Sequence, residues 1–75
     1  MIQSNITVSS QDLVRSLGNV LGSVTFEAMR GRINNPRILD LAINQAFVYG
    51  TGSAEDHAVL RASAVLLERT GCLPI

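Results

Sequence analysis

The residues with most capacity for acid-base chemistry lie near the start of the last predicted helix. His57 is the only histidine of this 75-residue chain, and Glu55 and Asp56 precede it directly. At about 100° per residue, the two carboxylates lie roughly 160° and 100° around the helix from His57, so this segment alone cannot form a converging catalytic site. We therefore predict a solvent-exposed or interface histidine and no catalytic residue.

Two further features could carry chemistry, namely Cys72 and the loop from Gly50 to Ser53. Cys72 is the single cysteine and has no second cysteine or histidine at the spacing of a zinc site, so we predict no metal and a small apolar role for Cys72. Amides at a helix N-terminus can bind phosphate, but a nucleotide loop follows a strand and carries a lysine, which the chain lacks. We expect a turn here and no cofactor.

Composition favours a protein partner over nucleic acid. Hydrophobic residues make up 47% of the chain and charged residues 16%, a high ratio for a domain so short that it buries only about 60% of its unfolded surface. Some apolar surface must remain outside the core. The formal net charge is zero, so the chain has no basic stripe to neutralise phosphates, and nucleic acid is disfavoured as the main partner.

Hydropathy and the N-terminal residues indicate a soluble cytoplasmic protein. The longest apolar runs, such as Ala64-Val65-Leu66-Leu67, have about four residues, whereas a membrane span needs about 20. No secretion signal opens the chain, and a lone cysteine fits a reducing compartment. We expect no membrane segment.

The first helix is predicted to begin after a flexible N-terminal arm, residues 1–9, for which a short extended conformation is the alternative. Ser9 and Ser10 supply N-cap hydroxyls, Asp12 places a carboxylate in the first turn, and Gly31 is expected to end the helix. The apolar residues at helical spacing are Leu13, Val14, Leu17, Val20, Leu21, Val24 and Ala28.

The central helix, 35–49, is predicted to organise the core. Asn35 caps it and Pro36 takes its first position. Apolar residues cover about half of its surface, and two more, Leu41 and Val48, lie on the opposite side. We therefore expect neighbouring elements to cover this helix on two sides. Leu39 and Ile43 are predicted to be almost fully buried.

A third helix is predicted from Ser53 to about Thr70. Ser53 and Asp56 form a variant capping box, Gly71 ends the helix, and the tail from Cys72 to Ile75 can fold back onto its last turn. The fold expected is all-α, with residues 10–75 forming a single three-helix domain in a homodimeric helical bundle.

The first candidate interface lies on the first helix. Gly18, Gly22 and Phe26 lie beside the core stripe, with Met29 following them, and the two glycines suggest close approach by another helix. Phe26 falls among polar neighbours, so we expect its ring to be covered by a contacting surface. The alternative is that the helix breaks near Gly22 and Phe26 joins the core.

The second candidate interface lies on the third helix, which has two apolar faces. Leu60, Ala64 and Leu67 have the seven-residue return of a helix-pairing seam, and Arg61 and Glu68 would lie at its rim. The other face consists of Ala58, Val59, Ala62, Val65 and Leu66. A homodimer through the Leu60/Leu67 seam is the preferred prediction, because one repeated patch then buries the surplus face.

Several short patterns can be aligned with one small family. They are a Leu-Gly pair at 17–18 or 21–22, the Asn-containing link after Gly31, the Ile-rich central helix, and the pair Leu60-Arg61 before an apolar end. In these patterns, residues 17–68 resemble the AriR/YmgB family of short enterobacterial proteins. That family is linked to biofilm, acid resistance and a phosphorelay.

The resemblance implies a small dimeric regulator that binds a signalling protein and has no enzymatic activity. The chain departs from the family at Ala46-Phe47, where the family has Leu-Glu, and in the loop 50–52. The leading prediction is a non-enzymatic regulatory or connector protein that dimerises through its helices. The alternatives are a small dimeric DNA-binding regulator, and a stabilising subunit or chaperone of a larger assembly.

Overall fold

The computed structural model describes residues 8–75, which are helical and contain no strand, so the all-α prediction is confirmed. Residues 1–7 of the predicted arm lie outside the described residues. The described part has four α-helices rather than three. They are α1 (Ser10–Leu21), α2 (Ser23–Met29), α3 (Pro36–Tyr49) and α4 (Ala54–Thr70), with a 3-10 turn (Arg30–Arg32) between α2 and α3.

The extra helix results from a break at Gly22. Gly22 has φ of 86° and ψ of 156°, a conformation that a side chain would penalise, and its N–H donates to the Gly18 carbonyl at 2.9 Å. The prediction that the first helix runs to Gly31 is therefore wrong, and the alternative break near Gly22 is correct. Gly31 instead lies inside the 3-10 turn.

The other helix boundaries follow the predicted capping chemistry. Ser9 Oγ accepts the Asp12 N–H at 3.1 Å, and Asn35 Oδ1 accepts the Arg37 N–H at 2.9 Å. The capping box of Ser53 and Asp56 is complete in both directions. α3 and α4 end at glycines in the left-handed conformation, Gly50 and Gly71.

The core lies where α1, α3 and α4 pack against one another. α1 contributes Leu13 and Leu17 and α3 contributes Ala42, all three fully buried. Leu73 folds back into the core from the C-terminal tail, as predicted, whereas Cys72 is exposed rather than packed. The buried apolar residues are Leu13, Leu17, Val20, Leu21, Ile38, Leu39, Ala42, Ala46, Leu60 and Leu73.

α3 is covered on one side, and not on two as predicted. Leu39 is buried as expected, but Ile43 is only half-buried, and Leu41 and Val48 are exposed. The reason is geometric: α1 and α4 both contact α3 while also packing on each other, so they occupy one side of it. α2, the remaining described helix, packs mainly on α1 instead.

Candidate functional site

An apolar pocket lies between the C-terminal half of α3 and the N-terminal half of α4. The short turn from Gly50 to Ser53 reverses the direction of the chain and brings these two half-helices side by side. The pocket has a volume of about 250 Å³. Its lining residues are Ile43, Ala46, Phe47, His57, Leu60 and Arg61.

The pocket has an apolar floor and a polar rim. Ala46 and Leu60 are core residues, and Ile43 is half-buried against them. Phe47 contributes to the lining but leaves 89% of its surface exposed. An aromatic side chain this exposed beside an apolar depression is the main anomaly of the described surface, because burying such a ring is strongly favourable.

His57 on the rim is fixed by a hydrogen bond rather than by a catalytic partner. Its Nε2 lies 2.6 Å from the backbone carbonyl oxygen of Thr51. A carbonyl can only accept, so Nε2 carries the proton and Nδ1 is the acceptor in the neutral ring. The carboxylate of Asp56 bonds to other groups, and His57 is half-buried.

Arg61 is the charged residue of the rim. Its side chain is exposed, and within residues 8–75 it forms no salt bridge. The ion pairs found there are the local ones of Arg15 with Asp12 at 2.9 Å and of Arg30 with Glu27 at 3.3 Å. The guanidinium of Arg61 is therefore available to a ligand or a partner at the pocket mouth.

A second depression is polar and centres on Asp56, between α1 and α4. The Asp56 carboxylate accepts hydrogen bonds from Ser16 Oγ at 3.0 Å, Asn19 Nδ2 at 3.2 Å and the Ser53 N–H at 3.0 Å. The Ser53 hydroxyl adds a further bond at 3.0 Å. The remaining lining residues are Asp12, Arg15, Glu55 and Val59.

This network fixes Asp56 as an ionised structural group. The hydrogen bond from the Ser53 backbone N–H lowers the pKa of Asp56 below its ordinary value of 3.8 and outweighs burial, which raises it. The side-chain bonds from Asn19, Ser16 and Ser53 lower the pKa further. Because its oxygens are occupied by the chain's own donors, Asp56 joins α4 to α1 and is not placed to act as a general base.

The interface predicted on the first helix forms a contact within the chain itself. A Cβ added at Gly18 would lie 3.8 Å from Cγ of Phe26. Gly18 therefore does permit a close approach, but the approaching group is the Phe26 ring on α2 of the same chain. Phe26 and Met29 are half-buried against the core. Gly22 ends α1 and carries no packing contact at its Cβ position.

The predicted seam on the third helix also faces inward. Leu60 is 1% exposed and belongs to the core, and Ala64 and Leu67 are partly buried against it. The surface preferred for the dimer therefore packs within the chain, and Arg61 and Glu68 are exposed. The hydrogen bonds of Asp56 to α1 provide the reason, because they rotate α4 so that Leu60, one turn later, points into the core.

Sequence analysis missed Phe47 as a surface residue. The helical pattern placed it at the edge of an apolar half-surface on α3, and that half-surface is wider than one packing neighbour covers. Tyr49 and Val48 are exposed nearby, at 71% and 57%. The width of the apolar surface is the available signal, although the prediction of burial on two sides does not follow from width alone.

Within residues 8–75, no helix combines the length and hydropathy needed to cross a bilayer. The same residues hold no group of three or more His, Cys, Asp or Glu side chains placed to bind a metal ion. Comparison with known proteins finds no matching family model, curated protein or solved structure.

Proposed function

We propose that this chain is a small non-enzymatic connector, a cytoplasmic homodimer that binds a regulatory or signalling protein. The observation that carries the proposal is Phe47, whose ring is 89% exposed beside an apolar pocket on a well-capped helix. Exposed apolar groups with a polar rim are typical of protein contact sites, and aromatic residues are enriched at their centres.

A second apolar surface on α3 supports a connector. Leu41 and Val48 are seven residues apart, so they lie within about 20° of one another around the helix, and both are exposed. They lie roughly 100 to 120° from Phe47. One helix thus presents two contact surfaces in different directions, which allows a copy of the chain and another protein to bind together.

Charge supports protein over nucleic acid as the partner. The net charge is zero, and two of the six arginines, Arg15 and Arg30, form local ion pairs with acidic residues. Without a surplus of positive charge, release of counterions from a phosphate backbone contributes little affinity. The connector role is also the one that the AriR/YmgB resemblance implies.

The test is capture of the partner with matched surface variants. The tagged chain, Leu41→Ser/Val48→Ser and the control Val24→Ser are used as baits in lysate of the native cell. Val24, 84% exposed on α2, is a comparable exposed aliphatic away from α3. We expect a regulatory or signalling protein that the double variant loses and the control keeps, with purified components reproducing the difference by calorimetry.

A direct assay addresses the DNA-binding alternative. Labelled genomic fragments are titrated with the protein at about 0.15 M salt, where non-specific binding is weak. We expect no sequence-specific complex. Submicromolar binding that survives competitor DNA would contradict the connector proposal and favour a DNA-binding regulator.

A further inference from the structure

The pocket between α3 and α4 has the size and lining of a site for an aromatic ring. Its volume is about 250 Å³, and an apolar cavity of about 150 Å³ in a protein is enough to hold benzene. Core residues Ala46 and Leu60 form its floor. A phenyl ring therefore fits there with its apolar faces against the floor.

The rim favours the same kind of occupant. Arg61 has no salt-bridge partner within residues 8–75, and a guanidinium binds well to the face of an aromatic ring. His57 is held by its bond to Thr51 and presents a fixed ring to any aromatic neighbour. A positive, aromatic rim of this kind disfavours a cationic side chain and favours an aromatic one.

The chain itself carries a ring suited to this pocket. It has three aromatic residues, two phenylalanines and one tyrosine. Phe26 is packed against Gly18, and Tyr49 lies about 160° around α3 from Phe47. Phe47 alone combines high exposure with a position at the pocket edge, yet at 89% exposure its ring does not fill the pocket that it borders.

We propose that a second copy of the chain covers this groove, with Phe47 of each copy inserted into the pocket of the other. A two-fold contact brings the same patch together twice, so it requires a patch that is complementary to itself. A projecting ring beside an open pocket large enough to hold it satisfies that requirement. The inference rests on the proposed dimeric connector and identifies its self-contact surface.

The dimensions of the groove indicate a small interface. α3 has 14 residues and α4 has 17, and two helices about 10 Å wide and 20 Å long present a face on the order of 400 Å² per copy. Stable interfaces bury about 800 Å² per partner. We therefore expect reversible association with a Kd between roughly 10 μM and 1 mM.

The first experiment is sedimentation equilibrium from about 10 μM to 1 mM with three proteins: the parent chain, Phe47→Ala and Val24→Ala. Both substitutions truncate an apolar side chain that is more than 80% exposed on a helix, so neither removes a core contact. Loss of a central aromatic commonly costs tenfold or more in affinity. With two rings per dimer, Phe47→Ala should raise Kd about a hundredfold, while Val24→Ala leaves it within about twofold.

The second experiment locates the ring directly. Labelled and unlabelled copies are mixed, and isotope-filtered nuclear Overhauser spectra are recorded between Phe47 ring protons of one copy and the Ile43 and Ala46 methyl groups of the other. Intermolecular signals between the Phe47 ring and these methyl groups support the proposal. A ring that contacts only the methyl groups of its own chain would overturn it.

The outcomes separate this inference from the broader function. A dimer whose Kd is unchanged in Phe47→Ala overturns the surface assigned here, but leaves a dimeric connector standing. A chain that stays monomeric to 1 mM overturns both the exchange of Phe47 and the dimer. If Phe47→Ala, added as a further bait to the capture experiment, then loses a protein that the parent chain binds, the second copy is rejected as the occupant of the groove.

Discussion

The two flanks of α4 are built differently. The flank toward α1 is closed by the Asp56 carboxylate, which accepts hydrogen bonds from Ser16, Asn19 and Ser53. The flank toward the outer edge of α3 is an open apolar pocket, beside which Phe47 is 89% exposed. We refer to these as the closed flank and the open flank.

The difference separates residues that specify the fold from residues available for binding. On the closed flank, donors and acceptors are matched within the chain, and buried polar groups with unique partners fix how two helices sit on each other. On the open flank, apolar surface is left without a matching neighbour. The proposed connector role would use this division, because a binding surface that also held the helices together could not vary independently of the fold.

The largest expected effect is that of Leu60→Ala, since Leu60 belongs to the core and forms the floor of the open flank, at 1% exposure. The substitution should destabilise the domain by about 2 to 5 kcal/mol, the range for a buried leucine that leaves a cavity. Ile43→Ala, on the half-buried wall of the open flank, should cost only about 1 to 2 kcal/mol. Urea unfolding of both variants decides this. Equal losses would mean that the open flank is as important to folding as the core.

Gly52→Ala tests how closely the closed flank is packed. Gly52 has φ of +81°, and a Cβ there would lie 2.6 Å from Cγ2 of Val20. Left-handed strain and overpacking together should cost about 2 to 4 kcal/mol. The matched control is Gly50→Ala, with φ of +67° and no atom within 4 Å, which should cost about 1 kcal/mol. Equal melting temperatures for the two variants would contradict the close contact between Gly52 and Val20.

Asp56→Ala should destabilise by about 2 to 3 kcal/mol, because it leaves the donors of Ser16, Asn19 and Ser53 without their acceptor. Asp56→Asn retains one carboxamide oxygen and should lose less. Chemical denaturation measures both. If Asp56→Ala were neutral, the network would be incidental to stability and the closed flank would be held by apolar contacts alone.

The same carboxylate gives the closed flank a pH dependence. The folded pKa of Asp56 lies below its ordinary value of 3.8, so its stabilising effect is fully present above that value and is lost as the pH falls through the folded pKa. Unfolding free energy should therefore decrease below about pH 4 in the parent and decrease less in Asp56→Asn. Denaturation series from pH 7 to pH 2 test this, and parallel curves would contradict it.

Local chemistry made much of the fold predictable from the sequence. The caps at Ser9, Asn35 and Ser53 and the left-handed glycines Gly50 and Gly71 depend on interactions within a few residues, and all lie where predicted. The break at Gly22 was stated only as the alternative. A glycine inside an apolar repeat is compatible both with close helix packing and with a positive φ, and tertiary contacts decide between them.

The candidate site was less predictable because it depends on how α4 is rotated. Its two apolar faces are nearly equivalent in sequence, and the choice between them is made by Asp56 bonding to Ser16 and Asn19, which are about 40 residues away along the chain. That pairing turns Leu60 inward, and Phe47 on α3 is uncovered. Periodicity locates an apolar face, but it does not identify the element that covers it.

The smallest expected effect is that of Phe47→Ala on the stability of the isolated monomer. At 89% exposure the ring makes few contacts within the chain, and alanine has the higher helix propensity, so the unfolding free energy should change by less than about 0.5 kcal/mol. The measurement is urea unfolding at a low micromolar concentration, with Val24→Ala as the control at 84% exposure. A loss above about 1 kcal/mol would mean that Phe47 occupies its own pocket in solution. The open flank would then be closed by the chain itself, and the contrast between the two flanks of α4 would disappear.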